Sequence, residues 1–224
     1  MNETNEELQR DVQDAIKWEP LLNAAEIGVI ANDGVITLTG TVDSYAKKLE
    51  AEDATKSVKG VKAVVVKLDI KFNSDQDKKD DSVIAGEIIN AVKWNWEIPK
   101  DKIKAKVERG WVTLDGEVEF NYQREAIENL VKNHSGITGV TNNISIEESE
   151  DHVEKEAIER ALQRNWLIDD SNIEVHVLNH EVTLTGAVDS WYERNKAARI
   201  AWNAPGVWSV DNQLIVDYDY EWAD

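Results

Sequence analysis

Hydrophobic and polar positions alternate along this chain in the same order three times. Leu8, Val12, Ala15 and Ile16 recur at helical spacing and predict an amphipathic helix. Pro20 follows and closes it, because proline lacks the amide donor and excludes a helical residue before it. The pattern then switches to period two. Ile27, Val29 and Ala31 share one face of a strand, a turn follows at Asn32-Asp33-Gly34, and Ile36 and Leu38 share the inner face of the next strand. Asp-Gly between alternating strands signals a hairpin. Helical spacing returns at Ala51, Ala54, Thr55 and Val58, and a last strand runs from Val64 to Ile70.

The second and third copies repeat this at offsets of 76 and then 70 residues. The register is set by residues 36–44 (Ile-Thr-Leu-Thr-Gly-Thr-Val-Asp-Ser), 112–120 (Val-Thr-Leu-Asp-Gly-Glu-Val-Glu-Phe) and 182–190 (Val-Thr-Leu-Thr-Gly-Ala-Val-Asp-Ser). Gly40, Gly116 and Gly186 are expected where the strand ends and the backbone bends toward a helix. Asp43-Ser44, Asp189-Ser190 and, in the middle copy, Glu119 are expected to cap that helix, and Gly60, Gly136 and Gly206 to end it. His180 stands where the other hairpins have Gly34 and Gly110, so its turn is expected to differ.

The predicted class is α+β: three tandem small domains, each helix-strand-strand-helix-strand, with a three-stranded mixed sheet and two helices on one face. A strand–helix–strand crossover is parallel and right-handed, which puts the nonapeptide strand in the middle. The domains are expected at 1–74, 82–148 and 149–217, with an acidic linker at 75–81 and an acidic tail at 218–224. Units this small are marginal alone. Open sheet faces or tryptophan sites are the places where they are expected to pack together.

Val-Thr-Leu-Thr-Gly-x-Val-Asp-Ser before a helix, then Gly-Val-x-x-Val-x-Asn-x-Leu, resembles the BON domain of bacterial osmotically inducible (OsmY-like) and nodulation proteins. The third copy carries the second motif in full, at Gly206-Val207-Trp208-Ser209-Val210-Asp211-Asn212-Gln213-Leu214. The second keeps Asn142 and Ile144, and the first has Val66 in place of Asn. The resemblance implies a non-enzymatic, phospholipid-binding or envelope-associated role in osmotic stress, without catalytic residues or cofactor. The alternatives are a cytoplasmic protein–protein scaffold and an ion or small-ligand sensor.

Charge narrows the partners. The net charge is −19, which speaks against nucleic acid. There is no cysteine, so thiolate chemistry is excluded. No apolar run approaches bilayer length. The N-terminus carries no secretory signal pattern, which gives a cytoplasmic expectation, or a periplasmic one if a signal has been removed. His134, His152, His176 and His180 do not fall at metal-ligand spacing. One basic stripe stands out: Lys100, Lys102, Lys104 and Lys106 alternate along the first strand of the middle copy. Trp94 and Trp96 precede it and Trp111 opens the next strand. Aromatics beside lysines suit a headgroup layer, while lysines on an edge strand also block stray strand pairing. Trp94, Trp96, Lys102, Lys104, Lys106 and Trp111 are therefore the expected lipid or partner contact.

Overall fold

The computed structural model describes residues 4–72, 79–95, 98–99, 102–147, 153–165 and 172–217. The first repeat runs α1 (Asn5–Trp18), β1 (Ile27–Asn32), β2 (Val35–Val42), α2 (Tyr45–Lys56) and β3 (Ala63–Ile70). The second runs α3 (Asp81–Trp94), β4 (Ile103–Glu108), β5 (Trp111–Val118), α4 (Asn121–Lys132) and β6 (Gly139–Ile146). The third runs α5 (Lys155–Gln163), β7 (Ile173–Leu178), β8 (Glu181–Val188) and α6 (Trp191–Trp202), then β9 (Ser209–Asn212) and β10 (Ile215–Val216). The expected last strand is thus continuous in two repeats and interrupted at Gln213 and Leu214 in the third. Each sheet is mixed, with the nonapeptide strand central, antiparallel to its hairpin partner and parallel to the last strand. Each repeat closes its own core. In the first, Val12 and Ile16 of α1 and Ala51 of α2 bury against Ile36 and Leu38 of β2.

The glycine of the nonapeptide has a different reason from the one expected. The strand does not end there but runs on to Val42, Val118 and Val188. Gly40, Gly116 and Gly186 have φ of +121°, +151° and +118°. A Cβ at these positions would sit 2.0, 2.3 and 1.8 Å from the carbonyl oxygens of Glu26, Lys102 and Asn172. The chain entering the first strand presses directly on the glycine, leaving room for no side chain.

The hairpins turn through Asp33-Gly34 and Arg109-Gly110, all four at positive φ. Asn179 keeps φ +56°, but His180 leaves the left-handed region. The space explains the exchange. A Cβ on Gly110 would meet Gly136 O at 2.7 Å, whereas His180 meets the equivalent carbonyl with its ring, Nδ1 donating to Gly206 O at 2.8 Å. Its ring stacks on Trp208, centroids 3.7 Å apart.

Ser44 and Ser190 cap α2 and α6, accepting from Lys47 N at 3.4 Å and Glu193 N at 3.2 Å. Glu119 does not do this in the middle repeat. There Phe120 occupies the cap position, and Gln123 Oε1 reaches back to accept from the amides of Glu119 and Phe120, both at 3.1 Å. Gly60, Gly136 and Gly206 do adopt positive φ, but the helices have already ended at Lys56, Lys132 and Trp202. The glycines serve the turns that follow.

The Asn of the second motif ties the last strand to the second helix. Asn142 Nδ2 donates to Glu128 Oε2 at 2.9 Å, and Asn142 Oδ1 accepts from Ile144 N at 3.1 Å. Asn212 likewise accepts from Leu214 N, but its Nδ2 reaches the helix through a backbone carbonyl, Arg194 O, at 2.8 Å. Glu128 also pairs with Lys132 at 2.5 Å. Burial pushes its carboxyl up, but Lys132 and Asn142 together outweigh that and hold its pKa below the ordinary value. A depressed carboxylate stabilises the fold above its unfolded pKa and loses that contribution as pH falls through the folded value. Glu128→Gln is expected to lower the urea midpoint at neutral pH, and the deficit should close under acid. A constant deficit at every pH would show that the charge is not responsible.

Among the described residues, the main contacts between repeats lie away from their open sheet faces. The second helices make the contacts, head to tail. The start of α2, with Asp43, Ser44 and Phe72, faces residues 132–137 after α4 across a gap of about 260 Å³. Tyr45 packs against the core of the second repeat. The start of α4 faces residues 202–208 at the end of α6. Glu125 pairs with Arg199 at 3.1 Å, and the Arg124 guanidinium lies 4.1 Å over the Trp202 ring. Trp191 at the start of α6 donates from Nε1 to Lys62 O, just after α2, at 3.3 Å, and α2 and α6 touch directly. Three heterologous contacts that return to their origin make a closed pseudo-threefold ring.

Candidate functional site

The open face of the middle sheet follows from period two. Ile103, Ala105 and Val107 turn toward the helices, so Lys104, Lys106 and Glu108 turn away. On β5, Trp111, Thr113, Asp115 and Glu117 share that face. Register sets the neighbours: Lys104 lies opposite Asp115, Lys106 opposite Thr113 and Glu108 opposite Trp111. Lys106 Nζ reaches Glu108 at 3.0 Å. Lys102 bonds the Glu147 carboxylate, which raises the lysine's pKa. The lysine stripe is therefore accompanied by carboxylates on its own strand and the next. Lys104 makes no ion pair among the described residues.

Trp111 is half exposed but does not project. Its ring lies across Gly139 of β6, where a Cβ would come within 2.3 Å of the indole, and Nε1 donates to Thr141 Oγ1 at 2.9 Å. The glycine opposite is the local signal. Val35 faces Ala63 and Glu181 faces Ser209 at the equivalent pairs, so the large residue goes where its neighbour has no side chain.

Trp94 is 87% exposed at the last residue of α3. The start of that helix is fastened to the hairpin, because Asp81 accepts from Arg109 N at 2.7 Å and Gly110 N at 2.8 Å. A helix of 14 residues spans about 20 Å. Trp94 therefore lies at the opposite end of the repeat from Trp111. α1 is fastened in the same way, Asn5 accepting from Asp33 N at 2.8 Å, and ends on Trp18, also 87% exposed. Of the six expected contact residues, Lys104, Lys106 and Trp111 share the open face and Lys102 stands at its edge. Trp94 belongs to the helix layer at the far end, and Trp96 lies outside the described residues, as does Lys100.

His134 Nε2 lies 3.4 Å from Glu87, which also holds Lys79 at 2.7 Å. His176 is on the surface beside Glu174. Among the described residues no group of three metal-ligating side chains forms, and no helix is long and apolar enough to cross a membrane.

The residues that the sequence reading missed are those that join repeats. Position 45 and its equivalents 121 and 191 hold Tyr, Asn and Trp, directly after the nonapeptide, and all three lie at inter-repeat contacts. Lys48 and Arg194 each donate to the equivalent carbonyls of Leu68 and Leu214. Arg124, at the same position, leaves that carbonyl for Trp202. Burial lowers its pKa from the usual guanidinium value, against Glu128 and Glu125, which raise it.

The family model for the BON domain matches residues 4–71, 80–148 and 151–218. The chain is 27% identical to osmotically-inducible protein Y of Escherichia coli (strain K12) over 157 residues, covering 66% of this chain and 78% of that protein. Two solved structures of CdsD, a structural protein of the type III secretion system of Chlamydia trachomatis, align over 93% and 94% of this chain. They cover 91% and 97% of their own chains, each at 19% identity with a TM-score of 0.25. Three matched segments, three copies of one sheet topology and three copies of one nonapeptide agree, and the chain belongs to the BON-domain family.

Proposed function

We propose that this chain is a non-enzymatic surface-binding protein of the osmotic-stress response, docking on a phospholipid layer of the cell envelope. The observation that carries this is the pair Trp18 and Trp94. Both stand 87% exposed at equivalent helix ends, each directly after a lysine, Lys17 and Lys93. Exposed indoles with adjacent lysines are the composition of a membrane interface. Lys102, Lys104 and Lys106, with Trp111, supply a second contact along the middle sheet. The likeness to osmotically-inducible protein Y supports the stress assignment.

With a net charge of −19 and carboxylates beside the lysines, the attraction comes mainly from indole burial. Each aromatic side chain buried contributes about 1.5–3 kcal/mol. Co-sedimentation with vesicles is the test. The double variant Trp18→Ala/Trp94→Ala should bind at least roughly tenfold more weakly, and Lys104→Glu/Lys106→Glu should weaken binding to anionic vesicles further than to zwitterionic ones. Wild type that stays in the supernatant with both vesicle types would remove the lipid assignment. Equal binding by the lysine variant would remove the sheet face from the site.

A further inference from the structure

The three repeats treat the same exposed edge in two ways. In each sheet the first strand of the hairpin lies at the edge, and among the described residues no strand pairs with its outer side. β4 reads Ile-Lys-Ala-Lys-Val-Glu and β7 reads Ile-Glu-Val-His-Val-Leu, so ionisable side chains alternate along both. Such residues keep a foreign strand from pairing with the edge. β1 reads Ile-Gly-Val-Ile-Ala-Asn and carries none. β2 behind it, Val-Ile-Thr-Leu-Thr-Gly-Thr-Val, carries none either. Register sets these residues in rows on the open face, Ile30 beside Thr37 and Val65, and Asn32 beside Val35 and Ala63. Ile30 is 57% exposed, and Val35 and Val65 are exposed with it. α1 packs over β1 and α2 over β3, and it is α2 that touches another repeat. The β1 edge is not the side used between repeats.

We infer that β1 is the docking edge for a second copy of this chain, the two β1 strands pairing antiparallel about a twofold axis into one six-stranded sheet. Charge selects the occupant. Two chains of net charge −19 repel wherever acidic surfaces meet, and β1 with β2 offers a stretch free of charge on both sides of the contact. Like charges directly opposite destabilise a strand pair, so a strand that meets itself must be uncharged, as β1 is and β4 and β7 are not. Opposed residues share a face in an antiparallel pair, so Ile30 can stand opposite its own copy, with Gly28 opposite Asn32 to either side. Main-chain hydrogen bonds and the burial of Ile30 supply the attraction. One short strand buries far less than a permanent dimer does, so the association is reversible, with a dissociation constant of about 10 μM–1 mM.

Sedimentation equilibrium on the full chain across that concentration range tests it. The mean mass should rise from that of one chain toward that of two. Added salt should tighten the dimer, because it screens the repulsion between acidic copies. Ile30→Lys should weaken it at least about tenfold and leave the thermal midpoint of the dilute protein unchanged, since this side chain faces solvent in the single chain. Thr37→Lys puts the same charge on the same face, one strand in from the edge, and should leave the dimer intact. A chain that stays monomeric throughout would overturn the inference, as would a dimer that Ile30→Lys does not weaken. Equal loss with Ile30→Lys and Thr37→Lys would mean that sheet faces stack and edges do not pair. Weakening by salt would mean that ion pairs hold the copies together, which β1 cannot provide.

Discussion

Gly186→Ala should unfold the third repeat. The added Cβ would lie 1.8 Å from Asn172 O at a backbone φ of +118°. The conformation alone costs an L-residue about 1–2 kcal/mol. The overlap is with backbone, so no rotamer relieves it, and the Ile173–Gly186 pair must separate. A total of about 3–5 kcal/mol is expected, the range reserved for strain at a special backbone position. A unit of this size has only about 3–10 kcal/mol of stability in all. Gly40→Ala, with Glu26 O at 2.0 Å, should follow closely, and Gly116→Ala, with Lys102 O at 2.3 Å, should cost least of the three. Gly86→Ala is the control: nothing lies within 4 Å of its Cβ, and its place inside α3 favours alanine by up to about 1 kcal/mol. Urea unfolding followed by hydrogen exchange would report both the size and the repeat affected. A Gly186→Ala midpoint equal to that of Gly86→Ala would refute the close approach.

Tyr45→Ala should destabilise a repeat to which Tyr45 does not belong. The residue opens α2 of the first repeat, yet its ring packs against the core of the second. Truncating a partly buried aromatic should cost about 2 kcal/mol, below the 3–5 kcal/mol of a fully buried one. Hydrogen exchange should speed up in the second repeat, where the ring's contacts are lost. Acceleration confined to the first repeat would mean that the ring packs at home and that the contact does not hold the repeats together. Because repeats this small bury too little surface to be robust alone, the same loss should lower the cooperativity of the whole chain.

Much of the fold was legible from pattern alone. Alternation at Ile36 and Leu38, helical spacing at Ala51, Ala54 and Thr55, and Asp-Gly in the hairpin are local signals, and each produced the element expected. The expectations that failed required knowledge of a neighbour in space. Gly40 reads as a strand end until Glu26 O is found against it. Glu119 reads as a cap until Gln123 is seen reaching back. The lysine stripe reads as basic until register places Asp115 beside Lys104. Trp94 and Trp111 are 17 positions apart in sequence and suggest one cluster, but α3 holds them at opposite ends of the repeat.

Period, turn chemistry and threefold repetition settled the secondary structure, the order of strands and the number of domains, because hydrophobic spacing and positive-φ turns act within a few residues. The tertiary structure decided how the domains meet. Tyr45, Asn121 and Trp191 carry no periodic signal, since each lies where another repeat comes close. Closure of α2, α4 and α6 into a ring depends on surfaces that exist only once three separate cores have formed.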